Sequence, residues 1–181
     1  MNPERRICNI ALTGFMGCGK TSVGHVVAVR LGFEFVDTDH LIERRAGLSI
    51  PEIFERQGEA VFRELERAVV ADLATCEKTV ISTGGGVGAN PDLLASLKTH
   101  ALVFWLWAKP GTIWQRVQRQ SHRPLLQVGD PESRIRELLA QREPVYRQAD
   151  VLLNAEVRQT AEVAEQVVSQ FRLVRRSQTG A

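Results

Sequence analysis

One eight-residue segment constrains the fold of this chain more than any other feature. The segment, Gly14-Phe-Met-Gly-Cys-Gly19-Lys20-Thr21, fits the pattern G-x-x-x-x-G-K-[ST]. It follows an apolar run, Ile7–Leu12, and precedes a helical pattern, Thr21–Leu31, which is the context in which this pattern binds nucleotide phosphates. Its glycines allow backbone N–H groups to turn towards a phosphate, and the N-terminus of the helix adds partial positive charge. The segment therefore predicts a phosphate-binding loop between a strand and a helix.

The remaining sequence predicts an α/β fold, because short apolar runs alternate with longer helical patterns. The further runs predicted as strands are Phe33–Val36, Thr79–Ser82, Ala101–Leu106 and Val151–Asn154. The further helical patterns are Glu59–Ala74, Pro131–Gln148 and Thr160–Leu173, together with a short helix that begins at the capping pair Ser49 and Glu52 and is closed by Gly58. We expect an open sheet of parallel strands with helices on both faces and a ligand site at the carboxyl ends of the strands.

Length, charge and cysteine content limit the class of protein. The 181 residues suit a single domain over residues 1–181, with a core at about 7–172 and a frayed tail at 173–181, which is polar from Arg175 onward. The net charge of +2 argues against a nucleic-acid partner, and no apolar run is long enough to span a membrane. Three cysteines and the lack of a signal peptide favour a reduced cytoplasmic protein, and we expect a monomer.

The phosphate-loop pattern specifies a mononucleotide but leaves its reaction open. Lys20 is expected to reach the β- and γ-phosphates, and the hydroxyl of Thr21 is expected to bind Mg²⁺. Switch GTPases also need an N-K-x-D and a D-x-x-G motif, and the sequence contains neither. A carboxylate must also order the metal shell. The run Thr79–Ser82 is followed by a threonine, whereas Phe33–Val36 is followed by Asp37, so we assign that role to Asp37, acting through water.

Two short motifs at strand ends suggest an acceptor site beside the phosphates. The carboxylates of Asp37 and Asp39 follow one strand and are expected to point the same way. One of them can serve the metal while the other faces an acceptor hydroxyl, although helix capping is the commoner role of such a pair. Thr83-Gly84-Gly85-Gly86 follows another strand, where its glycines permit either close approach to a small ligand or a tight turn.

Three arginine motifs complete the set of candidates. Arg63 in Phe62-Arg63-x-x-Glu66 has a spacing typical of an exposed helical ion pair, which is its ordinary explanation. Arg123-Pro-Leu-Leu lies in a segment, Gln120–Pro131, that has little apolar periodicity and is predicted to be a mobile loop. Arg142-Glu-Pro-Val-Tyr146 introduces a bend in a long helical pattern.

In this order, the phosphate loop, D-T-D, F-R-x-x-E, T-G-G-G, R-P-L-L and R-x-P-x-Y resemble the shikimate kinase family, over nearly the whole chain from about residue 7 to 168. The resemblance implies a P-loop fold with a five-stranded parallel sheet in the order 2-3-1-4-5, like nucleoside monophosphate kinases, and a mobile lid at about 116–131. It also implies transfer of the γ-phosphoryl group of ATP, with Mg²⁺, to the 3-hydroxyl of shikimate, a step of chorismate and aromatic amino acid biosynthesis.

Matching positions carry the family's roles onto this sequence. Shikimate would be bound by Asp39, Arg63, Gly84, Gly85, Gly86 and Arg142, with the two arginines on its carboxylate. The nucleotide would be held by Gly14, Gly17, Cys18, Gly19, Lys20, Thr21, Ser22 and Arg123, with Gln159 and Arg116 near the adenine. Catalysis would rest on Lys20, on Arg123 closing over the phosphates, and on Asp39 as the base for the acceptor hydroxyl.

Two other functions remain open on the sequence. A related small-metabolite kinase, such as a gluconate kinase, would also use paired arginines for an anionic acceptor, although F-R-x-x-E with T-G-G-G favours shikimate. A nucleotide-dependent regulatory module without acceptor chemistry is the other alternative. The presence of Lys20, Thr21, Asp37, Asp39 and Arg123 argues against it. Cys18 lies in the phosphate loop, where a helix N-terminus can favour a reactive thiolate.

Overall fold

Five parallel strands form one sheet in the spatial order β2-β3-β1-β4-β5. This geometry comes from a computed structural model, which describes residues 5–118, 130–156 and 158–179. The strands are β1 (Asn9–Thr13), β2 (Glu34–Asp37), β3 (Thr79–Ser82), β4 (Ala101–Trp107) and β5 (Val151–Asn154). The predicted sheet and its order 2-3-1-4-5 are therefore confirmed.

Eight helices connect or follow these strands in the described part of the chain. They are α1 (Lys20–Leu31), α2 (Thr38–Ala46), α3 (Ile50–Arg56), α4 (Gly58–Leu73), α5 (Pro91–His100), α6 (Pro110–Val117), α7 (Pro131–Tyr146) and α8 (Thr160–Thr179), with a 3₁₀ turn at Val87–Ala89. The sequence analysis does not anticipate α2, α5 or α6. Gly58 was expected to close α3, but that helix ends at Arg56, and Gly58 opens α4 with a positive φ of 82°.

Alternating side chains on the strands build a core on each face of the sheet. On β1, Ile10 and Leu12 pack in the cluster that includes α1 and α8, whereas Ala11 packs on the opposite face with α2 to α5. All three side chains are fully buried. A strand buried on both faces is typical of a parallel sheet covered by helices. It fixes the end of β1, and with it the phosphate loop, in the middle of the molecule.

The C-terminal segment is ordered further than expected. The predicted frayed tail at 173–181 is wrong as far as residue 179, because α8 continues to Thr179. The guanidinium of Arg175 donates to the carbonyl of Ile7 at 3.0 Å, and the side chain of Gln178 accepts from the Ile7 N–H at 3.3 Å and donates to the carbonyl of Arg5. These contacts tie the end of the last helix to the segment before β1. Among the described helices, none is long and apolar enough to cross a membrane.

Candidate active site

A cleft of about 710 Å³ lies at the carboxyl ends of β1, β2 and β3. The loop after β1, the first turn of α2 and the glycine segment after β3 all line it. The position agrees with the rule for open α/β sheets. Of the predicted metal, nucleotide and acceptor residues that the structure describes, all line this cleft except Gly14 and Gln159.

The phosphate loop has the backbone that the glycine pattern predicts. Gly14, Gly17 and Gly19 adopt φ values of 132°, 76° and 88°, which other residues rarely adopt. A Cβ atom at Gly14 would lie 2.4 Å from the carbonyl oxygen of Leu106, so Gly14 serves close packing against β4 rather than the cleft itself. Lys20 Nζ donates to the carbonyls of Gly14 at 2.8 Å and Phe15 at 3.1 Å, which holds the ammonium group over the loop.

Asp37 caps a helix and also contacts the phosphate loop. One carboxylate oxygen caps helix α2 by accepting from the backbone N–H of Asp39 at 3.1 Å. The other accepts from the hydroxyl of Thr21 at 3.2 Å, across the start of the phosphate loop. Capping and metal ordering are therefore compatible, because a carboxylate has two oxygens.

Ser82 is a cleft residue that sequence reasoning missed. It pairs with Asp37 in the register of β2 and β3, it is 1% exposed, and its hydroxyl has no hydrogen-bond partner among the described residues. Two hydroxyls and a carboxylate thus line the cleft near the base of the phosphate loop. Hard oxygen donors of this kind suit Mg²⁺. The residues present therefore fit the implied metal.

Asp39 occupies the acceptor side of the cleft in a restricted space. A Cβ atom added to Gly84 would lie 1.8 Å from Asp39 Oδ1, so the T-G-G-G segment admits the close approach of a protein carboxylate. The backbone N–H of Gly84 donates to the Thr38 hydroxyl at 2.7 Å and anchors the segment to α2. Burial, and next the charge of Asp37, raise the pKa of Asp39 to about 6, against the opposing charge of Lys20. This value suits a proton acceptor that works near neutral pH.

Arg63 forms the expected ion pair, but the pair is not an exposed one. Its guanidinium donates to Glu66 at 2.8 Å and also to Glu59 at 2.8 Å. Glu66 is fully buried, and its second oxygen has no partner among the described residues. A Cβ atom at Gly86 would lie 2.0 Å from that oxygen. Burial raises the pKa of Glu66, and the hydrogen bond from Arg63 opposes the rise. Glu66 therefore fixes Arg63 at the wall of the cleft.

Two further walls complete the acceptor end. Arg142 of α7 lies with its guanidinium carbon 5.5 Å from the centroid of the Phe15 ring, and a Cβ atom at Gly85 would be 3.1 Å from its Nη1. The rings of Phe54 and Phe62 pack 4.7 Å apart and supply an apolar surface in the same cleft. The cleft thus offers two cations and an apolar surface to one small anionic molecule.

The outer end of the cleft differs in part from expectation. Arg116 donates to the carbonyls of Ala155 at 2.8 Å and Gly17 at 3.3 Å, which places it over the phosphate loop. Gln159 does not line the cleft; its backbone N–H donates to the Glu162 carboxylate at 2.8 Å, before the first turn of α8. Its neighbours Arg158 and Thr160 line the cleft instead. Arg123 and most of the predicted lid, residues 119–129, lie outside the described residues.

Cys18 does not have the properties of a reactive thiolate. Its side chain is 2% exposed, and burial raises the pKa of its thiol despite the opposing charges of Lys20 and Arg116. Reactive cysteines combine exposure with a lowered pKa. The sequence left a reactive thiolate at Cys18 open, and its burial and raised pKa do not support one.

Comparison with known proteins gives a consistent result. The family profile described as shikimate kinase matches residues 16–172. The shikimate kinase of Caldanaerobacter subterraneus is 48% identical over 163 residues, which cover 90% of this chain and 95% of that protein. The structure of shikimate kinase from Acinetobacter baumannii in complex with shikimate is 38% identical, with a TM-score of 0.84 over 94% of this chain and 96% of that chain.

A more distant structure shows only that the fold is shared more widely. A gluconokinase from Sinorhizobium meliloti has a TM-score of 0.61 at 18% identity, over 94% of this chain and 95% of that chain. The identity to the two shikimate kinases is at least twice as high as the identity to this gluconokinase.

Proposed function

This chain belongs to the shikimate kinase family, and from that premise we propose that it transfers the γ-phosphoryl group of ATP to the 3-hydroxyl of shikimate. The product, shikimate 3-phosphate, would enter chorismate and aromatic amino acid biosynthesis. The observation that carries the proposal is that one cleft contains a phosphate loop, a carboxylate with a raised pKa, and two arginines that face a small volume. A regulatory module without acceptor chemistry would not need the last two features.

Positioning of the phosphates would fall to the loop between β1 and α1. Its backbone N–H groups and the N-terminus of α1 favour anions, and Lys20 already lies over the loop. Phosphoryl transfer needs positioning and charge stabilisation more than covalent chemistry. Lys20 would neutralise charge that develops on the transferred group, and Arg123 would add a second cation from a lid at 116–131. At the outer end, Arg116 and Arg158 are the basic side chains available to the rest of the nucleotide.

A magnesium ion would be held at the base of the loop by the hydroxyl of Thr21, with Asp37 and Ser82 acting through its water shell. When bound, it supplies positive charge to the β- and γ-phosphate oxygens. The chain's own contribution is orientation: the Asp37 carboxylate accepts from Thr21 and caps α2 at the same time. Asp37→Asn should therefore raise the Mg²⁺ concentration needed for half-maximal kcat, with partial recovery in excess metal.

Recognition of the acceptor would rest on its carboxylate. Arg63 is held by the buried Glu66, and Arg142 reaches the cleft between Phe15 and Gly85. Planar guanidinium groups match a carboxylate in a bidentate geometry. The T-G-G-G segment brings the acceptor close to Asp39, whose carboxylate would orient the 3-hydroxyl and take its proton late in the transfer.

We further propose that the chain acts as one domain and as a monomer in the cytoplasm. The described residues fold around one sheet, and one cleft of that fold contains residues suited to phosphate, metal and acceptor binding. The three cysteines are all free, which suits a reducing compartment.

The test is a coupled ADP-release assay with shikimate, quinate, gluconate and AMP as acceptors. Shikimate should give by far the highest kcat/KM, and a preference for gluconate or AMP would overturn the proposal. Lys20→Ala should lose most of kcat, whereas Lys98→Ala is a matched control, because Lys98 contacts Gln148 and Asp150 outside the cleft lining.

The same assay also tests the two arginines that are proposed to bind the carboxylate of the acceptor. Arg63→Ala and Arg142→Ala should each raise the shikimate KM at least about tenfold, because a truncated arginine leaves a carboxylate unpaired. The ATP KM should change little. Arg134→Ala is the control on α7, since Arg134 forms an exposed pair with Glu137. An unchanged shikimate KM in both cleft variants would remove the carboxylate assignment.

A further inference from the structure

Tyr146 presents a buried hydroxyl that the proposed reaction does not use. It ends α7, one helical turn after Arg142, and it is the only tyrosine in the chain. The side chain is fully buried, and its hydroxyl has no well-aligned hydrogen-bond partner among the described residues. A buried polar group without a partner is costly, so its presence calls for a function.

The Tyr146 ring has little freedom to move. It packs against the indole of Trp105 with centroids 5.9 Å apart, and both side chains belong to the largest fully buried ones of the core. The hydroxyl therefore has a nearly fixed position. Residues four apart on a helix share a face, which directs this hydroxyl along the same side of α7 as Arg142.

Arg142 lacks the kind of partner that holds the other acceptor arginine. Arg63 has two carboxylates, Glu59 and Glu66, whereas none of the ion pairs formed by described residues includes Arg142. Its guanidinium lies 5.5 Å from the centroid of the Phe15 ring, beside Gly85 and within reach of the Tyr146 hydroxyl. An aromatic face attracts a guanidinium but fixes its rotation only weakly. A directional contact, such as a hydrogen bond, is needed to keep the guanidinium N–H groups of Arg142 pointing into the cleft.

The phenol and the guanidinium influence each other electrostatically. Burial raises the pKa of Tyr146, and the positive charge of Arg142 is the largest opposing influence. A hydrogen-bond interaction with the Arg142 side chain also lowers this pKa, so the guanidinium lies within reach of the hydroxyl, in a geometry that falls short of a well-aligned hydrogen bond.

We propose that Tyr146 is the positioning residue for Arg142: its hydroxyl oxygen accepts an N–H of the guanidinium when that guanidinium binds the carboxylate of the acceptor. The inference rests on the proposed function, in which Arg142 binds that carboxylate. A guanidinium has five N–H donors and can serve both oxygens at once. The Tyr146 hydroxyl would thereby form a well-aligned hydrogen bond in the acceptor complex, where the carboxylate holds Arg142, so its contribution strengthens binding more than it stabilises the free protein.

The main test is Tyr146→Phe, which removes the hydroxyl and keeps the ring against Trp105. The shikimate KM should rise about tenfold, the size expected for loss of a hydrogen bond to a charged group. The ATP KM and kcat should stay within about twofold. Thr79→Val is the matched control, because it deletes another buried hydroxyl. Thr79 is 1% exposed and lies at the end of β3 that is away from the cleft. It should lower the melting temperature and leave the shikimate KM unchanged.

Two further arms separate positioning from a structural role. With a shikimate analogue that carries a carboxamide in place of the carboxylate, wild type and Tyr146→Phe should have the same KM. In an Arg142→Ala background, Tyr146→Phe should raise the shikimate KM no further. An equal defect with the carboxamide, or additive effects in the double variant, would overturn the inference.

A spectroscopic experiment tests the inference even if the Tyr146→Phe variant fails to fold. Because the chain has one tyrosine, growth on 3-fluorotyrosine places a single ¹⁹F label at position 146. The resonance should shift on addition of shikimate and should not shift in Arg142→Ala. If the ¹⁹F resonance of the wild type does not shift at saturating shikimate, the inference is overturned. If the wild type does not phosphorylate shikimate, the proposed function is overturned instead.

Discussion

Replacing Asp39 with asparagine should make the free protein more stable while removing its activity. The pKa of Asp39 is raised to about 6 from its usual 3.8, first by burial and then by the neighbouring Asp37. Asparagine has nearly the same size and lacks the charge that is poorly accommodated. It also lacks the basicity proposed for the acceptor hydroxyl, so kcat should fall about a hundredfold or more.

The size of the stability gain follows from the pKa difference. A rise of about two pKa units corresponds to about 3 kcal/mol against the ionised form in the folded state. Between pH 3.8 and about 6 the folded state binds a proton that the unfolded state has already released, so the wild type becomes less stable as pH rises through this window. Above pH 6 it carries the whole penalty, and below pH 3.8 it carries none. Asp39→Asn should therefore gain about 2–3 kcal/mol at pH 8 and lose this advantage towards pH 4.

The assay is urea unfolding of both proteins without nucleotide or metal, at pH 8 and at several lower values, alongside kcat with shikimate. Asp92→Asn is the matched control, because Asp92 is an exposed carboxylate in the first turn of α5, where its charge favours the helix. That variant should show no gain at pH 8. The reasoning is refuted if Asp39→Asn is no more stable than the wild type at pH 8, or if its advantage does not shrink as the pH falls.

Two other substitutions test the geometry. Gly84→Ala would place a Cβ atom 1.8 Å from Asp39 Oδ1 and should lower kcat by about tenfold or more through displacement of that carboxylate. In Gly111→Ala the nearest atom is 3.6 Å away, so steady-state kinetics should show wild-type kcat; equal kcat in the two variants would contradict the steric argument. Gln178→Ala should cost about 1 kcal/mol and lower the melting temperature by about 2–4 °C, since it loses contacts to the segment before β1. Ser177→Ala, which loses only a bond within its own helix, should melt within about 1 °C of the wild type; an equal drop in both would contradict the role of the inter-segment contacts.

Sequence reasoning succeeds where the determinants are local. The glycines and Lys20 of the phosphate loop are specified by adjacent residues, and the predicted strands agree with the observed ones within two residues at each end. Helix α2 gives no comparable signal, because Thr38 and Ile42 are its only buried residues and an amphipathic pattern hardly exists.

The rest of the site depends on contacts between distant segments. Ser82 becomes a cleft residue only because β3 pairs with β2, which brings it beside Asp37. Glu66 has the spacing of an exposed ion pair, yet it occupies an apolar position of α4 and is fully buried. The sequence did contain a signal for the burial of this carboxylate, because Glu66 lies four residues after Phe62, on the apolar face of α4. Residues 175–179 are polar, and their order comes from partners more than 160 residues away.

The contacts between the end of α8 and the segment before β1 also bear on how this fold tolerates rearrangement. The backbone of residues 5–7 is within hydrogen-bond distance of the side chains of Arg175 and Gln178, so a short linker can join residue 5 to residue 179. Circular permutation requires such proximity of the ends, and it succeeds where the new break falls in an exposed loop. A permuted chain opened in a surface loop away from the cleft should keep the sheet, the cleft and the kinase reaction, with β1 no longer the first strand to be synthesised.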